Sequence, residues 1–249
     1  MNNNIDKPRL IHIKETDSTN KFMQMVSQTE ELPSGSIVWA DFQTAGRGQT
    51  GNSWESEAGE NLTFSVLLRP ADVPANRPFI ISEMASLSVK YTLDKYIAGI
   101  SVKWPNDIYC GDRKITGMLI ENIIQQGKIT QSILGIGINV NQTEFRSNAP
   151  NPVSMTQIAG RLFDRLSIME DFRQIFAGQC ERLNNSGFDA IHRDYFDALY
   201  RKDGYHKYSD TDGVFEARIY DIEPTGHLIL ERMNEILSRY AFKEVTYID

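Results

Sequence analysis

The stretch Leu134-Gly135-Ile136-Gly137-Ile138-Asn139-Val140-Asn141 alternates large aliphatic residues with small or polar ones at a period of two. Such alternation specifies a β-strand with two unlike faces. Leu134, Ile136, Ile138 and Val140 form a face suited to a core. Gly135, Gly137 and Asn139 form the other. Glycine inside a strand weakens it, because it loses backbone entropy and packs nothing. Two glycines on one face mean that something lies close against the sheet, either a ligand or a helix or loop of the chain. Asn139 adds an amide there that can donate and accept.

The flanking sequence supplies the rest of such a sheet. Strands are expected at Leu10–Ile13, Ser36–Phe42, Leu62–Arg69, Ser101–Trp104, Ile108–Cys110, Lys114–Ile124 and Ile129–Asn141. In Leu62–Arg69, Leu62, Phe64, Val66 and Leu68 share one face, and Thr63 and Ser65 the other. A helix follows Asp17-Ser18, either of which suits an N-cap. A second runs from about Pro78 to Ala98, with Ile80, Met84, Leu87 and Tyr91 at helical spacing. Met155 to Tyr200 reads as helical, with breaks near Leu166 and Gly187. From Gly204 onward short apolar runs and the turn Pro224-Thr225-Gly226 indicate a small all-β unit. The expected division is therefore 1–203 and 204–249.

Composition removes several function classes. The 26 Lys and Arg against 33 Asp and Glu give a formal charge of −7, the wrong sign for a general nucleic-acid binder. The N-terminus MNNNIDKPRL lacks the apolar run of a secretory signal, and no stretch is apolar enough to span a membrane. Cys110 and Cys180 read as reduced cytoplasmic thiols. His12, His192, His206 and His227 share no metal-ligand spacing, so neither a histidine base nor a zinc site is expected.

Four segments can carry chemistry. The first is the loop after the second strand, GlnThrAlaGlyArgGlyGlnThrGlyAsnSerTrp from Gln43 to Trp54. Gly46, Gly48 and Gly51 match G-x-G-x-x-G, but a dinucleotide fingerprint needs a helix next, to aim its amides at a pyrophosphate. Here a strand follows. Gly46 to Gly51 also has P-loop spacing, but Asn52-Ser53 stands where Lys-Ser/Thr belongs. What survives is a backbone able to approach an anion and Arg47, a fork of donors for phosphate or carboxylate; the alternative is a plain surface loop. The second is the glycine face above. The third is Val102-Lys103-Trp104-Pro105-Asn106-Asp107 with Asp112-Arg113-Lys114-Ile115-Thr116-Gly117. Pro105 forces a turn that presents Asn106 and Asp107. Lys114 either neutralises a carboxylate and a developing acyl-phosphate charge or is a solvated strand-end lysine. The fourth is Glu15-Thr16-Asp17-Ser18-Thr19-Asn20, either a helix cap or a hydrogen-bonding rim for a polar head group.

In this order on one chain, ETDSTN, QTAGRG, the Trp of GNSW, NLTFSVLLRP, VKWPNDIY, DRKITGMLIE and GIGINVN resemble the biotin–protein ligase family across Ile11–Asn141. The resemblance implies an α/β (α+β) catalytic domain on a mixed sheet, akin to class II aminoacyl-tRNA synthetases, followed by a small Src-homology-3-like barrel. It implies an enzyme that uses ATP and Mg²⁺ to make biotinyl-5′-AMP from biotin. The enzyme then transfers biotin to a lysine of a biotin carboxyl carrier domain. Biotin would meet Ser18, Thr19, Asn20, Gln43, Gly46, Arg47, Gly48, Gln49, Lys114, Gly117 and Gly135. Gly117 and Gly135 would leave room for its bicyclic head and tail. ATP would meet Arg47, Trp54, Asn106, Asp107, Lys114 and Asn139. Arg47 and Lys114 would be catalytic, and no metal ligand is assigned. The implied setting is a cytoplasmic monomer or homodimer with no nucleic-acid or membrane partner.

Two departures from the family pattern stand out. Many members carry a second basic residue where this chain has Gln49, so biotinyl-AMP should be held less tightly. The motif also begins at Glu15, which argues against an N-terminal DNA-binding domain and a direct repressor role. Two competing readings are a lipoate–protein ligase or octanoyl transferase, and a non-enzymatic sensor on the same fold. The first needs fewer polar groups than Ser18, Thr19 and Gln43 supply. The second would be expected to have lost Arg47 or Lys114.

Overall fold

The computed structural model describes residues 7–49, 51, 53–147, 151–185 and 187–248. The chain begins with β1 (Leu10–Thr16) and α1 (Thr19–Thr29), where Ser18 is the extended N-cap. Then come β2 (Ile37–Gln43), β3 (Leu62–Leu68), the two-residue β4 (Val73–Pro74), α2 (Phe79–Asp94), β5 (Ile100–Lys103), β6 (Asp107–Cys110), β7 (Arg113–Gln125) and β8 (Lys128–Ile138). The order β1-β2-β3-β8-β7-β6-β5, with β4 paired to β8, makes an eight-stranded sheet. It is mixed: β1 and β2 run parallel and the other pairs antiparallel.

The period-two pattern sorts the two faces as expected. Phe64, Val66, Leu134, Ile136 and Ile138 enter one core with Met84, Leu87 and Phe172. This face is covered by α2, which packs against α4 (Arg165–Asn184) and α5 (Phe188–Asp197). Phe64 meets Phe172 of α4 edge-on at 4.9 Å, a favoured aromatic geometry. Among the described residues, α1 is the one helix on the opposite face, where Met23 and Val26 pack on Val38, Leu67 and Ile133. The rest of that face carries no helix of the described residues and becomes the site.

Some local details differ from the sequence reading. The helical region breaks at Gly160 to Asp164, a few residues ahead of the expected Leu166, and again at Gly187 as expected. The short α3 (Met155–Ala159) ends at Gly160 in the left-handed region, and Asp164 caps α4 by accepting from the Leu166 and Ser167 amides. Leu166 therefore lies inside α4. Asn139 falls one residue beyond β8.

The C-terminal region is all-β: β9 (His206–Asp210), β10 (Gly213–Ile222), β11 (Leu228–Arg232), β12 (Leu237–Tyr240) and β13 (Thr246–Tyr247). They pair antiparallel in the path β12-β11-β10-β9-β13. Its buried Tyr208, Ile219, Leu228 and Leu230 join the same core as the large sheet. A polar clamp reinforces the junction. His192 of α5 meets Glu83 of α2 at 2.8 Å and Asp221 of β10 at 3.1 Å. The hydrogen bond to Glu83, against the opposing effect of burial, and then Asp221, raise the His192 pKa to about 9.

Candidate functional site

The uncovered part of the sheet is the floor of a cavity of about 330 Å³, within the range of small-molecule sites. Its floor comes from Gly117 and Leu119 of β7 and Gly135 and Gly137 of β8. Ser18, Thr19, Asn20 and Gln43 form one wall, and the loop after β2 contributes Arg47, Gly48, Gln49 and Trp54. Asn106, Asp107 and Lys114 close another side. Of the fifteen residues expected at the site, only Gly46 and Asn139 are outside this lining. Gly46 sits just behind it, packed against the Trp54 carbonyl and Gln43. Asn139 is buried, and its Nδ2 donates to the Val153 carbonyl at 3.2 Å. Thr50 and Asn52 of the loop, and the first six residues, lie outside the described residues.

The glycine face is not bare. A methyl group at Gly137 would overlap the Trp54 ring, and one at Gly117 would stand 3.1 Å from Trp54 Cζ3. One at Gly135 would overlap the Asn20 side chain. The close neighbours that the glycines admit are thus the chain's own side chains, where the sequence reading put biotin's head and tail over Gly117 and Gly135. The loop reaches this position because Arg47 bridges to Ser53 and Trp54 N–H donates to the Gly46 carbonyl at 2.9 Å. Just beyond Trp54, Glu55 accepts from the Arg146 and Ser147 amides at 2.9 and 2.6 Å. Partial burial raises its pKa, but hydrogen bonds from the Ser147 side chain and these amides bring it below the usual value.

The polar rim is organised by its own hydrogen bonds. Gln43 Oε1 accepts from the Thr19 amide at 2.8 Å and the Thr19 hydroxyl at 3.1 Å. Asn20 Nδ2 donates to Glu121 at 2.8 Å, and Asn20 Oδ1 accepts from Ser65 at 2.6 Å. Ser18 makes no side-chain cap bond. The capping interpretation therefore holds for its backbone but not for its hydroxyl.

Both cations face carboxylates. Lys114 Nζ lies 2.7 Å from Asp107, across the β6–β7 hairpin, and Arg47 lies 3.7 Å from Glu121. These groups are only partly buried, so the pairs are exchangeable for an incoming anion rather than locked. Asn106 Nδ2 donates to the Met118 carbonyl. This fixes the turn after Trp104–Pro105, a cis peptide bond. Gln49 Oε1, Trp54 Nε1 and Asn139 Oδ1 are buried polar atoms without a hydrogen-bond partner. Such groups carry a desolvation cost that a bound molecule can relieve. With the Tyr247 hydroxyl, which belongs to the same lining and also has no hydrogen-bond partner, four such atoms in and beside one cavity mark it as built for a polar ligand.

Sequence reasoning missed part of the lining. Lys103 and Trp104 border the cavity, as do Phe242, Lys243 and Tyr247 from the C-terminal strands and the turn between them. The first two lie in the motif already singled out. The last three carry no local signal, because only the tertiary fold brings the chain's end to the cavity.

Residues 12–139 match the biotin/lipoate A/B protein ligase family. The bifunctional ligase/repressor BirA of Bacillus subtilis is 30% identical over 238 residues, covering 93% of this chain and 72% of BirA. The biotin–[acetyl-CoA-carboxylase] ligase of Mycobacterium tuberculosis is 32% identical over 134 residues, covering 52% of this chain and 48% of that one. In fold, the chain is similar to the Aquifex aeolicus biotin protein ligase solved with biotin and ATP, with TM-score 0.77 and 24% identity over 96% of this chain and 97% of that one. With a family match over half its length and a likeness to one relative over nearly all of it, the chain belongs to the biotin/lipoate A/B protein ligase family, is of the biotin–protein ligase kind, and is a ligase.

Proposed function

We propose that this ligase makes biotinyl-5′-AMP from biotin and ATP and then passes biotin to a lysine of a biotin carboxyl carrier domain. The observation that carries this reading is a single cavity with a hydrogen-bonding rim of Ser18, Thr19 and Gln43 and two displaceable cations, Arg47 and Lys114. The rim suits biotin's ureido ring. The cations suit its carboxylate and the α-phosphate.

In the first step a biotin carboxylate oxygen attacks the α-phosphorus, the bond to the β-phosphate bridging oxygen breaks, and pyrophosphate leaves with that electron pair. Arg47 and Lys114 leave Glu121 and Asp107 to hold the carboxylate in line and to stabilise the charge that develops on the phosphoryl oxygens. Trp54, Asn106 and Asp107 surround the nucleotide, and Asn139, buried beside the cavity, supports the site from behind. In the second step the neutral lysine amine of the carrier attacks the acyl carbon, the acyl–oxygen bond breaks, AMP departs, and the nitrogen loses a proton. No covalent enzyme intermediate is required. A phosphate-bound Mg²⁺ needs few protein ligands. Asp107 supplies one carboxylate in the cavity wall, so the residues present fit that ion, which would neutralise phosphate charge when bound.

We also assign residues 1–203 to the catalytic unit and 204–249 to a Src-homology-3-like module, acting in the cytoplasm as a monomer or homodimer. The formal charge of −7 supports an enzyme without a direct DNA-repressor role. Two measurements test the reading. Biotin should raise the melting temperature and lipoate should not. Mass spectrometry should find one biotin added to a carrier lysine only when ATP is present. A melting shift with lipoate alone would overturn the choice of substrate.

A further inference from the structure

The turn between β12 and β13 reaches the cavity from the far end of the chain. Phe242 and Lys243 line the cavity together with Arg47, Gln49 and Lys114. They also line the open groove that adjoins it past Pro105 and Asn106. The turn therefore stands where cavity and groove meet. It is well braced: the Glu244 amide donates to the Ala241 carbonyl at 3.1 Å, and the Glu244 carboxylate accepts from the Ala241 amide at 2.7 Å. Phe242 meets Trp104 edge-on at 6.2 Å, and the Trp104 indole donates to the Gly226 carbonyl at 3.0 Å.

Lys243 is an unexpected residue for its position. Its φ is +71°, in the left-handed region that glycine adopts freely and a residue with a Cβ does not. The side chain is exposed, so core packing does not account for it. Strain of this kind at a cavity mouth points to a use for the side chain. Its ammonium extends to the tip of the glycine-rich loop, where a methyl group at Gly51 would be 4.0 Å from Nζ. That loop carries the uncharged Gln49, whose Oε1 is buried without a partner.

We propose that Lys243 is a phosphate-facing residue of the nucleotide site, supplying from the C-terminal sheet the positive charge that Gln49 does not bring to the loop. It meets the β- and γ-phosphates of ATP and the departing pyrophosphate, while Arg47 and Lys114 serve the carboxylate and α-phosphate. A compact ammonium suits this point-charge task. The inference rests on the ATP-dependent reading above.

The test compares the full chain with Lys243→Gly, Lys243→Arg, and Lys243→Gly combined with Gln49→Arg. Readouts are calorimetric binding of inorganic pyrophosphate, biotin-dependent pyrophosphate–ATP exchange, and melting temperature. Lys243→Gly should melt no lower than the parent, because the left-handed position relaxes. It should raise KM for ATP by about tenfold, weaken pyrophosphate binding by a similar factor, and leave KM for biotin within about twofold. Lys243→Arg, which keeps the charge but not the compact ammonium, should lose less than Lys243→Gly, and Gln49→Arg should recover part of the Lys243→Gly loss. A Lys243→Gly protein with parental KM for ATP and parental pyrophosphate affinity overturns the proposal and leaves the ligase reading standing. A parent that binds pyrophosphate through Lys243 but shows no exchange supports the anion site and overturns the ligase reading instead.

Discussion

The two faces of β8 differ in what they are built to do. Leu134, Ile136 and Ile138 point into a core sealed by α2, α4 and α5. Gly135 and Gly137, between them in sequence, point to a face covered by α1 and by the loop after β2, and they admit Asn20 and Trp54 at distances no larger residue allows. The core face gains stability from every methyl group. The site face gives up that burial so that polar side chains and a ligand can lie on the backbone. One strand thus shows a division between stability and function at a spacing of one residue.

The largest expected effect lies on the core face. Leu134→Ala should cost about 2–5 kcal/mol of stability, the usual range for a fully buried leucine. Denaturant melts should show this loss, while KM for biotin stays near the parental value in the folded fraction. If Leu134→Ala instead impaired ligand binding without loss of stability, the separation of faces would fail. Next is Lys114→Ala on the site face. Loss of a positioned charge should slow biotin-dependent exchange by about 10²–10³-fold, with a melting shift within about 1 kcal/mol of the parent. Lys114→Arg should recover only part of the rate, because a planar fork does not reproduce a compact ammonium.

Gly137→Ala sharpens the comparison with a single methyl group. It must displace the Trp54 ring, so KM for biotin and ATP should rise by about tenfold, while stability moves by no more than about 1 kcal/mol. Trp54 fluorescence should report the displaced ring. The smallest effect belongs to the layer that covers the core. His192, with pKa raised to about 9, binds protons more tightly folded than unfolded. Its contribution is therefore complete below about pH 6.5, the unfolded value, and is lost as pH rises through about 9. A shift of this size would amount to about 3 kcal/mol unscreened, and solvent screening of the partly exposed clamp should cut it to about 1 kcal/mol. Melts at pH 6 and pH 10 should show it in the parent and not in His192→Gln, with exchange activity at pH 7 unaffected by the substitution.

Much of this was legible in the sequence because it is written locally. Period-two alternation in Leu62–Leu68 and Leu134–Ile138 identified the strands and sorted their faces. Helical spacing from Ile80 to Tyr91 identified α2. Arg47, Lys114 and Thr19 stood out by residue chemistry within motifs, Gln43 only through the family resemblance, and the fold brings all four to one cavity. The helix break came out a few residues early, at Gly160 as a left-handed stop and Asp164 as a cap, both of which are local signals. Other features have no local signature. Trp54 lies over Gly117 and Gly137 because a loop folds back across the sheet. Glu121 meets Arg47 across a sequence separation that no periodicity encodes. Lys243 and Phe242 arrive from the last strands of the chain. The identity of the groups above the glycines was therefore readable only as an alternative between ligand and chain.

Biotin and ATP are expected to react over the glycine face. Biotin-dependent exchange of labelled pyrophosphate into ATP, in the presence of Mg²⁺, tests it most directly. The parent protein should exchange with biotin and not with lipoate, and Gly137→Ala should lose most of that rate at unchanged melting temperature. Absence of exchange with biotin, or full exchange by Gly137→Ala with Trp54 displaced, would contradict it.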